Sequence, residues 1–322
     1  MSSQTTTATE PAGIPPRRLQ AQSKRYGERA IKWLLGFCAI LSVLTTTAII
    51  ISLLGPTIGF FEIVPAKEFF FEIDWTPQFE PPSFGVLSIV AGTINVALWG
   101  LVFAIPIGLG AAIYLSEYAS PRARKTIKPV LEVLVGIPTV AIGIFAVSFI
   151  LPHVIVPLWP GDFLGGPEGK PFLALAAALG VGLMVVPIIA SLSDDAMRAV
   201  PRGLHEGAYA LGATKAKVAT RVIFPAALSG IVASIVLAFS RAAGETMIVV
   251  IAGGSTPKFT LNPMESIQTM TSYIATTATG DIGVGTTEYK SIFAVGALLF
   301  AITLVMNVVS IRLVRKYREV YE

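Results

Sequence analysis

Six long, predominantly apolar runs constrain this chain more than any other feature: approximately Trp33 to Leu54, Val86 to Leu115, Val130 to Leu151, Phe172 to Leu192, Ala226 to Ala252 and Ile292 to Leu313. A helix needs about 20 apolar residues to cross roughly 30 Å of hydrocarbon, and each run is long enough. A membrane β-barrel would instead show alternating segments of about ten residues. With 53% hydrophobic and 14% charged side chains in 322 residues, there is more apolar surface than a soluble core of this size buries. The reading is an all-α membrane protein with six transmembrane helices.

Basic residues flanking short loops are held on the cytoplasmic side, so the cations orient the bundle. With the N-terminus inside, four inside segments carry Arg17, Arg18, Lys24, Arg25, Arg29 and Lys32; Arg122, Arg124, Lys125 and Lys128; Arg198, Arg202, Lys215, Lys217 and Arg221; and Arg312, Arg315, Lys316 and Arg318. These are nineteen of the 24 basic residues, and they put both termini in the cytoplasm. The formal charge of +4 is then a matter of topology, and a nucleic-acid partner has no motive.

Residues 1–29 read as a disordered cytoplasmic tail, Met1 to Pro16 being rich in Ser, Thr and Pro, and 30–322 as one transmembrane domain. The first run, about 22 residues long, exceeds a signal-peptide core, and Gly55-Pro56-Thr57 offers no cleavage site, so it reads as a retained anchor. Cys38, the single cysteine, is a packing residue on this reading. Pro106, Pro138 and Pro187 fall in three consecutive spans and predict bends. Gly108 and Ala112 give the second span a small-residue face for close contact.

Catalytic machinery is not expected. The run Gly165-Gly166-Pro167-Glu168-Gly169-Lys170 imitates a phosphate loop, but Leu164 stands where the pattern requires glycine and Pro171 where it requires Ser or Thr. His153 and His205 lack companion ligands at metal spacing and read as ordinary polar contacts. No nucleophile, base and orienting group assemble, and neither a metal nor a cofactor is implied.

The most informative segment is the basic loop of about 193–225, between the fourth and fifth runs. Pro201 suits the first turn of a helix, Glu206 its positive end, and Gly212 a left-handed stop. Thr214 can cap a second helix through Lys215, Lys217 and Arg221. From composition alone this could be a connector lying on lipid headgroups. The spacing Glu206-Gly207-Ala208, Gly212, then Val222-Ile223-Phe224-Pro225 resembles the EAA loop of ABC importer permeases, E-A-A-x3-G-x9-I-x-L-P. Gly207 replaces the first alanine, and Val222 and Phe224 replace Ile and Leu, while Glu206, Gly212 and Pro225 stand. The resemblance implies the type I ABC importer permease fold and makes Glu206, Gly207, Ala208, Gly212 and Pro225 the contact with a separate ATPase.

Further runs are similar to phosphate-importer permeases: Pro138-Thr139-Val140-Ala141-Ile142-Gly143, Ile113-Tyr114-Leu115-Ser116-Glu117-Tyr118, Pro187-Ile188-Ile189-Ala190-Ser191, Asp194-Asp195-Ala196-Met197-Arg198-Ala199-Val200-Pro201, and, most specifically, Arg241-Ala242-Ala243-Gly244-Glu245-Thr246-Met247. Trp75-Thr76-Pro77 and Phe84-Gly85 look like the PstC-type subunit rather than its PstA partner. The resemblance runs from about Trp75 to the C-terminus. It implies a multi-pass subunit in a prokaryotic plasma membrane, partnered by a second permease, ATP-binding cassette subunits and an external phosphate-binding protein.

Arg241 and Glu245 are four residues apart on one helix face, with Ser234 a heptad earlier and Thr246 adjacent in the motif. Counted from Ala226, Arg241 lies about 22 Å into the fifth span. A charge near the centre of a span costs at least about 2.5 to 3.5 kcal/mol, so it should face the bundle interior. Arg241, Glu245, Ser234 and Thr246 are therefore candidate pathway residues for phosphate, the guanidinium fork meeting the oxyanion. A purely structural ion pair is the alternative for Arg241 and Glu245. A permease for another oxyanion, an ion-gradient-driven secondary transporter and a membrane anchor or sensor are the alternatives for the whole chain.

Overall fold

A computed structural model describes residues 26–159, 166–167 and 169–317. Residues 1–25 of the expected tail lie outside that set, as do Gly165 and Glu168 of the phosphate-loop imitation and Arg318. The chain divides into two compact units, Met1–Ile49 and Ile50–Glu322.

The first unit holds the leading part of helix α1 (Tyr26–Phe61), four residues of which fall within the expected tail. Its large apolar side chains, among them Trp33, Leu35, Phe37 and Ile40, are exposed, and so is Cys38, which therefore faces outward rather than packing. The Thr45 and Thr47 hydroxyls donate to the carbonyls of Leu41 and Val43, 2.8 Å each, satisfying polar groups where hydrocarbon offers no water.

In the second unit α1 runs through Pro56 to Phe61, beyond the expected end at Leu54. Then come α2 (Ala66–Phe71) and two strands, β1 (Trp75–Thr76) and β2 (Ser83–Phe84), paired antiparallel with Trp75 opposite Phe84. Edge-to-face aromatic pairs weld this segment into a cap. Phe60 meets Phe69 and Phe84 at centroid distances of 5.5 and 5.3 Å, and Trp75 meets Tyr273 at 4.8 Å.

The remaining helices are α3 (Leu87–Ile113), continued by a π-helical turn at Tyr114–Tyr118; α4 (Pro121–Val135); α5 (Thr139–Phe145), continued by a π-helical stretch at Ala146–Ile155 and by α6 (Val156–Leu158); and α7 (Ala174–Arg198). After them follow α8 (Arg202–Ala210), α9 (Lys215–Val218), a π-helical turn at Ala219–Ile223, α10 (Phe224–Ala226), α11 (Leu228–Ala243), α12 (Met247–Ala252), α13 (Met270–Ala278) and α14 (Thr287–Tyr317). Among the described residues, Ala30–Phe61, Leu87–Tyr118, Thr139–Leu158, Ala174–Arg198 and Thr287–Val309 are each long and apolar enough to cross a membrane. The pair Lys215–Ala226 and Leu228–Ala243, bent by 72° at its break, is long and apolar enough only when taken together, and counts as a sixth crossing if the two form one span.

Two expected spans need correction. The third starts at Thr139, not Val130, because Gly136 and Pro138 stop α4: proline bars its predecessor from continuing the helix. Glu132 thus lies on α4, before the span. The fifth is not one helix from Ala226 to Ala252. It kinks at Ala227, just after Pro225 has removed a backbone donor, and breaks again at Gly244 before α12. Pro106 and Pro187, by contrast, sit inside the unbroken helices α3 and α7.

Helices α3 and α7 form the centre and run side by side in the same direction. A side chain at Gly182 would stand 2.9 Å from the Gly100 carbonyl, and one at Gly108 would stand 2.8 Å from Ile189, so close approach requires glycine at these crossings. Val96, Ala104, Val181, Val185, Ile248 and Ile267 fill the core around them.

The segment between α12 and α13 is bound by tertiary hydrogen bonds. The first amides of α7, which no helical carbonyl can serve, donate to it: Leu173 to Ala252, Ala174 to Glu265 and Leu175 to Pro263, at 3.1, 2.9 and 2.8 Å. From α3, Asn95 donates to the carbonyls of Thr260 and Asn262, and Trp99 to that of Leu261.

Candidate functional site

The basic loop folds as two short helices around a glycine joint. Gly212 has φ +76°, a left-handed conformation glycine adopts without penalty, and the loop turns there. Pro201 stands just before α8, and Thr214 has the extended backbone of a cap without its side-chain hydrogen bond. On the inner side Val218, Ile223 and Ala227 pack with Ala112, Met197 and Ile231, seating the loop on the ends of α3, α7 and α11. The outer side is open: Glu206, Gly207 and Pro225 are exposed, Ala208 is half-buried, and Leu211 is 89% exposed beside the joint.

Charged contacts fasten this end of the bundle. His205 Nε2 meets Glu117 Oε1 at 3.3 Å, and Lys215 Nζ lies 5.2 Å from the Tyr118 ring centroid, so the loop grips the π-helical turn that ends α3. Asp194 is fully buried; Arg124 meets it at 2.6 Å and Lys128 at 3.6 Å, while Lys128 also pairs with the exposed Asp195. A buried carboxylate persists only when paired, so these bonds tie α4 to α7. Glu117, Asp194 and Asp195 lie inside quoted sequence motifs, but nothing in their spacing names Arg124, Lys128 or His205 as partners, which are 70, 67 and 88 residues away in the respective hydrogen bonds.

Deeper in the bundle, Arg241 Nη1 donates to Glu245 Oε2 at 2.9 Å. The other oxygen, Glu245 Oε1, accepts from the backbone amides of Met247 and Ile248 at 3.1 and 3.4 Å, so this buried carboxylate caps α12 after the break at Gly244. The Glu245 carbonyl accepts from Thr271 at 2.7 Å. Glu245 is 3% exposed but Arg241 is 45% exposed, so the guanidinium looks out of the chain. Of the other candidates, Thr246 is adjacent, its hydroxyl 3.4 Å from the Gly244 carbonyl. Ser234 is buried and shares a 2.8 Å hydrogen bond with Ser193 of α7, its hydroxyl also donating to the Ile231 carbonyl. Among the described residues, Ser234 bonds to Ser193 and Ile231 and Arg241 to Glu245, so the two are not joined to each other.

Known proteins are similar to this chain in sequence and fold. A chain named probable ABC transporter permease protein YqgH, from Bacillus subtilis (strain 168), is 31% identical over 296 residues, covering 91% of this chain and 92% of its own. The phosphate transport system permease protein PstC of Pasteurella multocida (strain Pm70) is 30% identical over 314 residues, covering 91% and 95%. A chain in the crystal structure of a bacterial alginate ABC transporter, in complex with its alginate-bound periplasmic protein, superposes with a TM-score of 0.61 at 16% identity, covering 93% of this chain and all of that one. Residues 104–319 match the family model for the inner membrane component of binding-protein-dependent transport systems. With its bent helical bundle, its jointed basic loop and these relatives, the chain belongs to the family of binding-protein-dependent transport system inner membrane components and has the type I ABC importer permease fold.

Proposed function

We propose that this permease subunit imports phosphate, alternating between outward-facing and inward-facing states as a separate ATPase subunit hydrolyses ATP. The observation that carries the substrate reading is the half-exposed guanidinium of Arg241 on an otherwise apolar helix. Arg241 lies 13 positions beyond Leu228, about 20 Å along α11, too deep for its exposed face to be turned to lipid. That face suits a polar passage shared with a second permease subunit. An oxyanion there meets a planar fork of donors, while Glu245, anchored to α12, holds the fork in place and keeps the anion from binding too tightly to leave. The PstC-named relatives support phosphate among oxyanions.

The exposed outer surface of α8 and the Gly212 joint is the contact for the ATPase, with both termini in the cytoplasm of a prokaryotic cell. An external phosphate-binding protein delivers the substrate from the other side. The test is reconstitution of the chain with a second permease and ATPase subunits, measuring ATP-dependent phosphate uptake with sulfate and molybdate as competitors. Arg241→Gln should abolish uptake while the complex still assembles. Undiminished uptake by that variant assigns the arginine to structure alone.

A further inference from the structure

Helix α4 has no buried residue, although it is packed against α7 through the Asp194 pairs. Two cavities of opposite character border it. The first, about 460 Å³, is lined by Ala119, Pro121, Arg124, Lys125, Lys128, Pro129, Glu132 and Arg198. Four cations thus face one carboxylate. Arg124 and Lys128 are engaged by Asp194 and Asp195, whereas Lys125 and Arg198 are exposed and have no ion-pair partner among the described residues. The second cavity, about 270 Å³, is almost wholly apolar and is lined by Leu134, Ile137, Ala141, Ile142, Phe145, Leu183 and Met184. Lys125 and Leu134 are nine positions apart, about 13 Å along the helix.

Between the cavities the surface of α4 changes from cationic to apolar, Val130, Val133, Leu134 and Val135 all being exposed. The helix ends at Gly136 and the membrane span starts at Thr139, so α4 meets the bilayer where headgroups give way to acyl chains. We infer that this face of α4 is a binding site for one anionic phospholipid. Its phosphate would lie between Lys125 and Arg198, and an acyl chain would pass along Val130 and Val133 into the slot under Leu134 and Phe145. Basic pockets at the ends of membrane helices take anionic headgroups because the charge attraction acts in a partly dehydrated layer. The adjoining slot distinguishes a lipid from free inorganic phosphate, which has nothing to fill it. Glu132, at the border of the two, disfavours a second anionic group and so limits the basic cavity to a single headgroup.

The experiment is native mass spectrometry of the full-length chain released from mixed micelles holding phosphatidylglycerol and phosphatidylcholine in equal amounts, with inorganic phosphate added in a separate arm. The wild type should retain phosphatidylglycerol about tenfold more than phosphatidylcholine. Lys125→Gln with Arg198→Gln should remove that preference, Leu134→Asn should weaken retention several-fold, and Arg122→Gln, on the same helix but outside both cavities, should change nothing. Equal retention of the two lipids in the wild type overturns the inference, as does displacement of phosphatidylglycerol by inorganic phosphate. So does a response to Arg122→Gln as large as that to the Lys125 and Arg198 pair, which would reduce the effect to diffuse charge. A crosslinker placed at Val133 in the assembled complex supplies an independent readout: labelled lipid is the expected product, and capture of another subunit instead sinks the proposal.

Discussion

Glu245 divides its carboxylate, one oxygen on the Arg241 guanidinium at 2.9 Å and the other on the Met247 amide at 3.1 Å. The two partners differ in kind. The amide bonds are internal to the fold, whereas the guanidinium is nearly half exposed. Removing the carboxylate therefore strands the start of α12 in the core, while removing the cation does not.

Glu245→Ala should accordingly lower stability by about 2 to 3 kcal/mol, the cost of a buried charge-assisted cap. Arg241→Gln should cost less than that, because Glu245 keeps the Met247 and Ile248 amides as donors and the glutamine amide can still donate to its other oxygen. Thermal unfolding of the detergent-solubilised chain measures both, and equal losses would refute the asymmetry.

Two glycines on α3, one helical half-turn apart, should respond in opposite directions. Gly108→Ala puts a methyl 2.8 Å from Ile189 and 3.2 Å from the Val186 carbonyl, an overlap costing about 1 to 3 kcal/mol. Gly110→Ala meets nothing within 4 Å and should stabilise the helix by about 0.5 to 1 kcal/mol. Comparative melting of the two variants checks the sign.

Leu211→Ser should change stability by less than about 0.5 kcal/mol, because its side chain is 89% exposed. In the reconstituted complex it should lower uptake several-fold by weakening the ATPase contact. Gly212→Ala, at φ +76°, should strain the joint by about 1 kcal/mol and impair uptake as well. Full transport by both variants would remove the loop from the coupling surface.

Glu265 predicts a pH effect outside the membrane. The hydrogen bond from Lys258, 2.7 Å long, holds its carboxyl below the ordinary value of 4.5; burial opposes this, and the charges of Lys258 and Lys170 reinforce it. A depressed folded pKa means that the stabilisation is complete above the unfolded value and is lost as pH falls through the folded one. The melting-temperature difference between the wild type and Lys258→Met should therefore be constant above about pH 5.5 and shrink as pH falls below about 4.5. Both partners are partly exposed, so the effect is small, under about 1 kcal/mol. A difference that grows on acidification would contradict the assignment.

Hydropathy made most of the crossings legible, because an apolar run of span length has few other uses. It could not see where a helix stops within such a run. Val130 to Val135 are apolar apart from Glu132, yet Gly136 and Pro138 detach them, and Gly244 divides Ala226 to Ala252 where the charges of Arg241 and Glu245 interrupt the run. The glycine joint at Gly212 was legible because its conformation is a local property. Ser234 was not: a heptad offset from Arg241 gives a shared helix face, but the hydroxyl is taken by Ser193 of α7, a choice made by tertiary packing. The segment from Gly253 onward was opaque for the same reason, since much of its order comes from Asn95, Trp99 and the amides of α7 in addition to internal bonds such as Lys258 to Glu265.

That segment has a mechanical consequence. It binds the upper ends of two parallel rods, through Asn95 and Trp99 on one and the amides of Leu173, Ala174 and Leu175 on the other, while Gly108 and Ile189 lock them lower down. Rods pinned at two heights cannot scissor apart; they can only tip as one plank. On the proposed alternating-access cycle, the plank is expected to move as one body against its neighbours, with bending at the corners at Ala227 and at Gly136 to Pro138.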